Sequence, residues 1–460
     1  MQVVLDYLKQ NQSRFVAELC ELLRFPSVSA QPQHKKDLRA CAEWLVQHCR
    51  QIGLDAKIGP TDGHPIVLAK TPAFATVRRG KPRKPHYLVY GHYDVQPPEP
   101  LDLWKPPPFE PRIEGRAPFA RGSTDNKGQF FAHLKAVEAY LKTGTPLPCD
   151  LTFVLEGEEE VGSENLAKFL IARRKELNCD GVVVSDTGMP DVDHPALTYG
   201  LRGIIAFEIT LHGPSRDLHS GGFGGSVDNP AMALSQLLAK LRDQNGRIAI
   251  PGYYADVKPL TAYERKEFSR LPTTDKELKK LTGVKELFGE RGFTPNEQRS
   301  ARPTFEINGL TSGYQGEGSK TIVPAWARAK ITCRLVPAQD PARIRQAVCK
   351  HLKKLCPPTV RMEIEAGHGA EAYHMSPTSP HAQAALRALR QAFNREPVLI
   401  REGGSIPIVN DFKKVLGVDT LLLGLGLPGD NAHSPNERFS LDSFENGQRM
   451  SALLWQELVR

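Results

Sequence analysis

The chain has 460 residues, more than one hydrophobic core usually serves, so at least two domains are expected. A composition 40% hydrophobic and 24% charged is that of an ordinary globular protein, and no apolar run reaches the length of a membrane span. The formal charge of +8 raises the question of nucleic acid. However, its densest run (Arg78, Arg79, Lys81, Arg83 and Lys84) is broken by Gly80, Pro82 and Pro85 and lacks an aromatic platform, so a solvated loop is expected there and no polynucleotide site.

At the start, Met1 to Lys9 carries Asp6 within an apolar stretch and shows neither a basic leader nor a small-residue cleavage site. It reads as the first turns of a helix in a cytoplasmic protein. Apolar residues at 38, 41, 42, 45, 49 and 52 mark a helix that ends at Gly53. Short apolar strands are predicted at 65–69, 87–90, 151–155, 182–184 and 421–423. A helix at 129–141 presents Phe130, Phe131, Leu134, Val137 and Leu141 on one side. Strands without alternation, separated by helices, imply a sheet buried on both faces and hence an α/β domain. The eight cysteines include no C-x-x-C pair, and they read as buried thiols in a reducing compartment.

The middle of the chain has a different period. Ile205, Phe207, Ile209 and Leu211 alternate with polar or small residues, as do Ala327, Ala329, Ile331, Cys333 and Leu335, and again Val360, Met362 and Ile364. Such alternation marks a sheet with one face covered. Asn229-Pro230 and Asp340-Pro341 each place a capping residue before a helix-opening proline. The expected organisation is a mixed α/β/α domain of residues 1–199 and 381–460, interrupted by an inserted α+β domain of residues 200–380. The charged stretch 258–300 reads as a helical or loop insertion.

Each major strand of the first domain leads into a metal-binding type of side chain. His92 and Asp94 follow the second strand, and Glu156, Glu158, Glu159 and Glu160 follow the third. Asp186 follows the fourth, and His433 lies beyond the last. Open α/β sheets bind ligands beyond the carboxyl ends of their strands, where these groups can converge. Asp125 stands in Gly-Ser-Thr-Asp-Asn-Lys-Gly, just before a helix. Two histidines, two aspartates and a glutamate suit a pair of divalent cations, with one carboxylate bridging to offset their repulsion. Any one of these residues alone would be an ordinary strand-end or capping residue. The remaining histidines, His48 and His133 among them, are read as structural.

Gly-His-Tyr-Asp-Val-Gln-Pro, Gly-Ser-Thr-Asp-Asn-Lys-Gly, Glu-Gly-Glu-Glu-Glu-Val-Gly-Ser, Val-Ser-Asp-Thr-Gly and Asn-Ala-His-Ser-Pro-Asn-Glu occur in that order. With these five motifs the chain resembles the metallopeptidase family of carboxypeptidase G, aminoacylase and carnosinase, nearest its cytosolic non-specific dipeptidase branch. The resemblance implies His92, Asp125, Glu160, Asp186 and His433 as ligands of two metal ions per subunit. Zinc is the favoured ion and manganese is also accommodated. It makes Asp125 the bridge and Asp94 and Glu159 the catalytic acidic pair; counting back from Gly162-Ser163 selects Glu160 as ligand and Glu159 as base. Asn126 stands where close relatives often have a second aspartate, after a bond that is cis in the family. The resemblance further implies a homodimer in which His219 reaches the partner's site, with Thr321, Arg334 and Ser405 gripping a small peptide's free carboxylate. The implied activity is hydrolysis of dipeptides or similar short substrates. N-acyl amino acid deacylation (desuccinylase or deacetylase type) is the alternative, though such relatives generally lack so long a 258–300 insertion.

Overall fold

The computed structural model describes residues 1–72, 84–404 and 406–460, so most of the basic run and Ser405 lie outside the described residues. The chain forms two compact units. The first is Met1–Tyr199, Met375–Ile400 and Ile408–Arg460; the second is Gly200–His374 and Arg401–Pro407. No helix among the described residues is long and apolar enough to cross a membrane.

Six principal strands come first: β1 (Asp55–Gly59), β2 (Ile66–Lys70), β3 (His86–His92), β4 (Asp150–Glu156), β5 (Gly181–Val184) and β6 (Ala196–Leu201). Four belong to the second unit: β7 (Gly203–His212), β8 (Thr304–Ser312), β9 (Trp326–Leu335) and β10 (Arg361–Ala370). The last, β11 (Thr420–Leu422), returns to the first.

The large sheet runs β1-β2-β4-β3-β5-β11-β6. Its centre is parallel, with β3 pairing β4 on one side and β5 on the other, and β11 beyond β5. Because the chain leaves β3 first to one side and later to the other, a crevice is expected beyond the carboxyl end of β3. Every residue of β3 and β5 is buried, as the unbroken apolar runs predict for a sheet covered on both faces. The expected helices form at Lys35–Ile52, closed by Gly53 at φ 107°, and at Gly128–Thr143.

The second unit holds an antiparallel sheet, β8-β9-β7-β10. Ile205, Phe207, Ile209 and Leu211 of β7 point the same way as Ala329, Ile331 and Cys333 of β9. They pack on Leu234 and Leu237 of helix Pro230–Ala239 and on Val348 and Leu352 of helix Pro341–Leu355. Asn229 and Asp340 cap these helices through Ala231 N–H and Ala342 N–H. The insertion at 258–300 is organised by three capping boxes: Thr261 with Glu264, Thr274 with Glu277, and Thr294 with Glu297.

Two buried histidines are structural. His48 Nε2 lies 2.7 Å from Lys135 Nζ, whose ammonium also meets Glu18 (2.5 Å) and Glu138 (2.8 Å), so a lysine fills the centre that these acids and the imidazole could otherwise offer a cation. Burial and then the Lys135 charge hold His48 down to about 3. His133 sits between Ser451 Oγ (2.9 Å) and Ser185 Oγ (2.8 Å), and burial holds it down to about 4. The unfolded chain takes up protons on such residues near pH 6.5 while the folded chain excludes them. Their contribution is therefore complete above pH 6.5 and lost as the pH falls toward 4. Urea unfolding at pH 7, 6 and 5 should show stability falling with acid. In His133→Gln that slope should be shallower by up to about 1.4 kcal/mol per pH unit, and an unchanged slope would contradict a neutral buried His133.

Candidate metal centre

The crevice beyond β3 gathers the charged groups. His92 closes β3 with its side chain fully buried. Its Nε2 lies 3.1 Å from Asp125 Oδ1 and 3.6 Å from Asp186 Oδ1. His433 arrives from the loop after β11 at φ 60°, and its Nε2 lies 2.8 Å from the other Asp125 oxygen and 3.3 Å from Glu160 Oε1. Asp125 thus stands between two imidazoles, the position expected of a bridge. The peptide bond from Asp125 to Asn126 is cis. His92, Asp125 and Glu160 each offer a ligand atom within 4.8 Å of the others, so Glu160 rather than Glu159 belongs to that group.

The donor set fits divalent cations. Glu160 Oε1 is buried and makes no well-formed hydrogen bond, with the His433 imidazole 3.3 Å away, and a cation held between the two would answer its charge. His92, Asp125, Glu160, Asp186 and His433 would hold the ions, and mixed imidazole and carboxylate donors suit zinc or manganese.

The surrounding bonds show how the site is shaped. Asp94 is fully buried, and its two oxygens accept the backbone N–H of Glu159 (3.3 Å) and Glu160 (3.1 Å), pinning the acidic turn beneath β3. His92 Nδ1 is nearer the Asp94 carbonyl (3.1 Å) than its carboxylate (3.4 Å). The Asn126 amide donates to Ser185 O (2.5 Å) and Asp186 Oδ1 (2.8 Å), while its Oδ1 accepts from His92 N–H (3.3 Å). An aspartate there would need a proton to donate in the same way. Gln96 donates to Glu160 Oε2 at 2.8 Å. Burial, reinforced by the Asp186 and Glu160 charges and opposed by His92, drives the Glu159 carboxyl well above its ordinary range. Burial also pushes Asp186 up to about 6 against the pull of His92, whereas hydrogen bonds from His433 and His92 overcome burial and hold Asp125 low.

Sequence reasoning missed Glu437, four residues past His433. Its fully buried carboxylate accepts the backbone N–H of Gly122 (3.0 Å), Thr124 (3.0 Å) and Asp125 (3.1 Å) and pairs with the buried Arg121 guanidinium at 2.7 Å. The motif Asn-Ala-His-Ser-Pro-Asn-Glu ends on this residue, but nothing in its polar, turn-rich neighbourhood marks the distant N–H groups as its partners. Of the second-unit residues, His219 is exposed in a two-residue strand beside Ile322. Its Nδ1 accepts Gly221 N–H at 3.0 Å, so the neutral ring carries its proton on Nε2 as a donor. Thr321 is exposed and accepts Ser220 N–H at 3.0 Å, and Arg334 is half-buried on β9.

Glu437→Ala would strand the Arg121 charge in the interior and release three backbone N–H groups. Denaturant unfolding should show a loss of about 3–5 kcal/mol. A loss under about 1 kcal/mol would mean that the turn before Asp125 holds without this carboxylate.

A family model described as Peptidase family M20/M25/M40 matches residues 88–457. The Cys-Gly metallodipeptidase DUG1 of Candida albicans is 34% identical over 462 residues, covering 97% of this chain and 95% of that protein. The human Beta-Ala-His dipeptidase is 29% identical over 100% of this chain and 93% of its own. Among solved structures, the M20 family metallo-carboxypeptidase Sso-CP2 from Sulfolobus solfataricus has a TM-score of 0.83 at 32% identity, covering 97% of this chain and 99% of that one. The di-peptidase Dug1p from Saccharomyces cerevisiae has a TM-score of 0.80 at 30% identity, covering 100% and 98%. By a model that spans most of the sequence and by relatives that match it nearly end to end, the chain belongs to peptidase family M20/M25/M40.

Proposed function

We propose that this peptidase is a metallodipeptidase that hydrolyses the amide bond of dipeptides and similar short substrates with a free C-terminal carboxylate. The observation that carries the reading is the convergence of His92, Asp125, Glu160 and His433, with Asp186 beside His92, at the ends of the central parallel strands. Two divalent ions held there, zinc above all with manganese accommodated, would polarise the scissile carbonyl and lower the pKa of the attacking water. Glu159, next to Glu160 on the turn that Asp94 pins, takes that water's proton and passes it to the leaving nitrogen. Asp94 acts as a positioning residue through both glutamates. The Nε2–H of His219 suits a developing oxyanion. The guanidinium of Arg334 suits the planar carboxylate of the substrate's last residue, and Thr321 and Ser405 complete the proposed grip on it. The second reading, N-acyl amino acid deacylation, shares every one of these groups, and turnover of dipeptides against N-acetyl and N-succinyl amino acids separates the two. The eight cysteines, none in a disulfide, fit a reducing cytoplasmic location.

Glu159→Gln should retain metal, measured by equilibrium dialysis, and lose about a hundred- to ten-thousandfold in kcat. Glu160→Gln should lose metal as well; the reverse pattern would exchange the two roles.

The reading also includes a homodimer in which His219 serves the partner's site. Mixing inactive His219→Ala with inactive Glu159→Gln then creates mixed dimers, each with one site holding both groups. Random exchange places roughly half the protein in such dimers, so about a quarter of wild-type activity should return. No recovery after exchange has been verified with tagged subunits would exclude a histidine acting across the interface.

A further inference from the structure

Arg334 projects from the polar face of the second unit's sheet, where β9 pairs Thr304 of β8 on one side and Ile204 of β7 on the other. The 258–300 insertion and the residues just after it cover this end of the face, leaving between themselves and the sheet a cavity of about 620 Å³. That volume is ample for a side chain with accompanying water.

The cavity wall carries five arginines and three glutamates, a formal excess of positive charge. Each glutamate is already engaged. Glu290 takes Arg302 through two bonds of 2.8 Å, Glu306 takes Arg242 at 3.1 Å, and Glu286 takes Lys279 at 2.8 Å. The other three wall cations are Arg202, Arg334 and the exposed Arg299. Burial and then the neighbouring Arg334 charge, against the pull of Glu306, hold Arg202 down to about 10, and burial lowers Arg334 as well. Arg202 donates to the Gly403 carbonyl at 3.2 Å, and a side chain at Gly403 would strike the Arg202 guanidinium at 2.7 Å and the Arg299 carbonyl at 2.8 Å. The insertion therefore comes close to Gly403 through the Arg299 carbonyl and brings its own arginine to the same wall as Arg334. Like charges gathered around one cavity favour an anion over a neutral group, and a cation least of all.

We propose that this cavity is a specificity subsite for an acidic side chain on the substrate's C-terminal residue, filled while Arg334 takes that residue's α-carboxylate. The inference rests on the reading of Arg334 given above, and it gives the insertion a role as the outer wall of the subsite. Arg299 is its specificity-determining residue, because it comes from the insertion and adds charge to a wall that the sheet alone leaves open.

The test uses the full-length, metal-loaded enzyme on Ala-Glu, Ala-Gln and Ala-Lys. The kcat/KM for Ala-Glu should exceed that for Ala-Gln by about tenfold or more, with Ala-Lys lowest. In Arg299→Gln the Ala-Glu to Ala-Gln ratio should fall toward one, and Arg299→Lys should retain part of it. A wild-type ratio at or below one, or an Arg299→Gln variant that loses both substrates equally, overturns the subsite. Arg334→Ala, assayed on free-acid dipeptides and their C-terminal amides, tests the underlying reading separately. A larger loss on the free acids supports it, and equal losses overturn the role of Arg334 whatever the Glu-to-Gln ratio.

Discussion

Mutual repulsion among carboxylates is the constraint around which the first unit is built. Asp94, Asp125, Glu159, Glu160 and Asp186 crowd the ends of β3, β4 and β5, and bringing that much negative charge out of water is costly unless each group is answered. The answers differ. Asp94 receives two backbone N–H groups, Asp125 lies between two imidazoles, Asp186 takes the Asn126 amide, and Glu160 takes the Gln96 amide. What remains is a buried Glu160 oxygen without a well-formed hydrogen bond, 3.3 Å from the His433 imidazole and in the group formed with His92 and Asp125. A site for cations is the state in which these costs balance.

Much of this was legible because the chemistry follows the strands. An apolar run ending in His-Tyr-Asp or Glu-Gly-Glu-Glu-Glu is a strand delivering charge to its carboxyl end, and β3 and β4 do so. Period-2 alternation likewise gave the faces of β7 and β9 residue by residue. What escaped were interactions with no local signature. Glu437 gives no hint in its own neighbourhood that it will accept three N–H groups from residues 122–125. Nor does Asp94 show locally that its carboxylate will accept the Glu159 and Glu160 N–H groups, while its backbone carbonyl lies closer than that carboxylate to the His92 ring. The insertion was readable at a level that went unused, since Thr-x-x-Glu occurs at each of its three helix starts.

Carboxylates in this protein therefore do two kinds of work. Some would face cations, whereas Asp94 and Glu437 gather backbone N–H groups and fix the loops from which the first kind project. This second use explains why the loops need little regular structure of their own. A buried carboxylate with two or three N–H donors acts as a local cross-link that a hydrophobic contact could not replace, because the donors would otherwise be left unsatisfied.

The ties also couple the site to completion of the fold. Residues 122–125 are held by Glu437 and Asp430, more than three hundred residues later, and Gln129 accepts the Leu425 N–H just beyond β11. His433 belongs to the same late segment, on the far side of the inserted unit in sequence. A first unit lacking that segment would lack β11, one imidazole and the carboxylate that shapes the turn before Asp125. Closing loops of this length carries an entropic cost that is offset only when the distant partners arrive together. The acidic crevice is thus complete only when the positive and N–H groups that make its charge tolerable are in place.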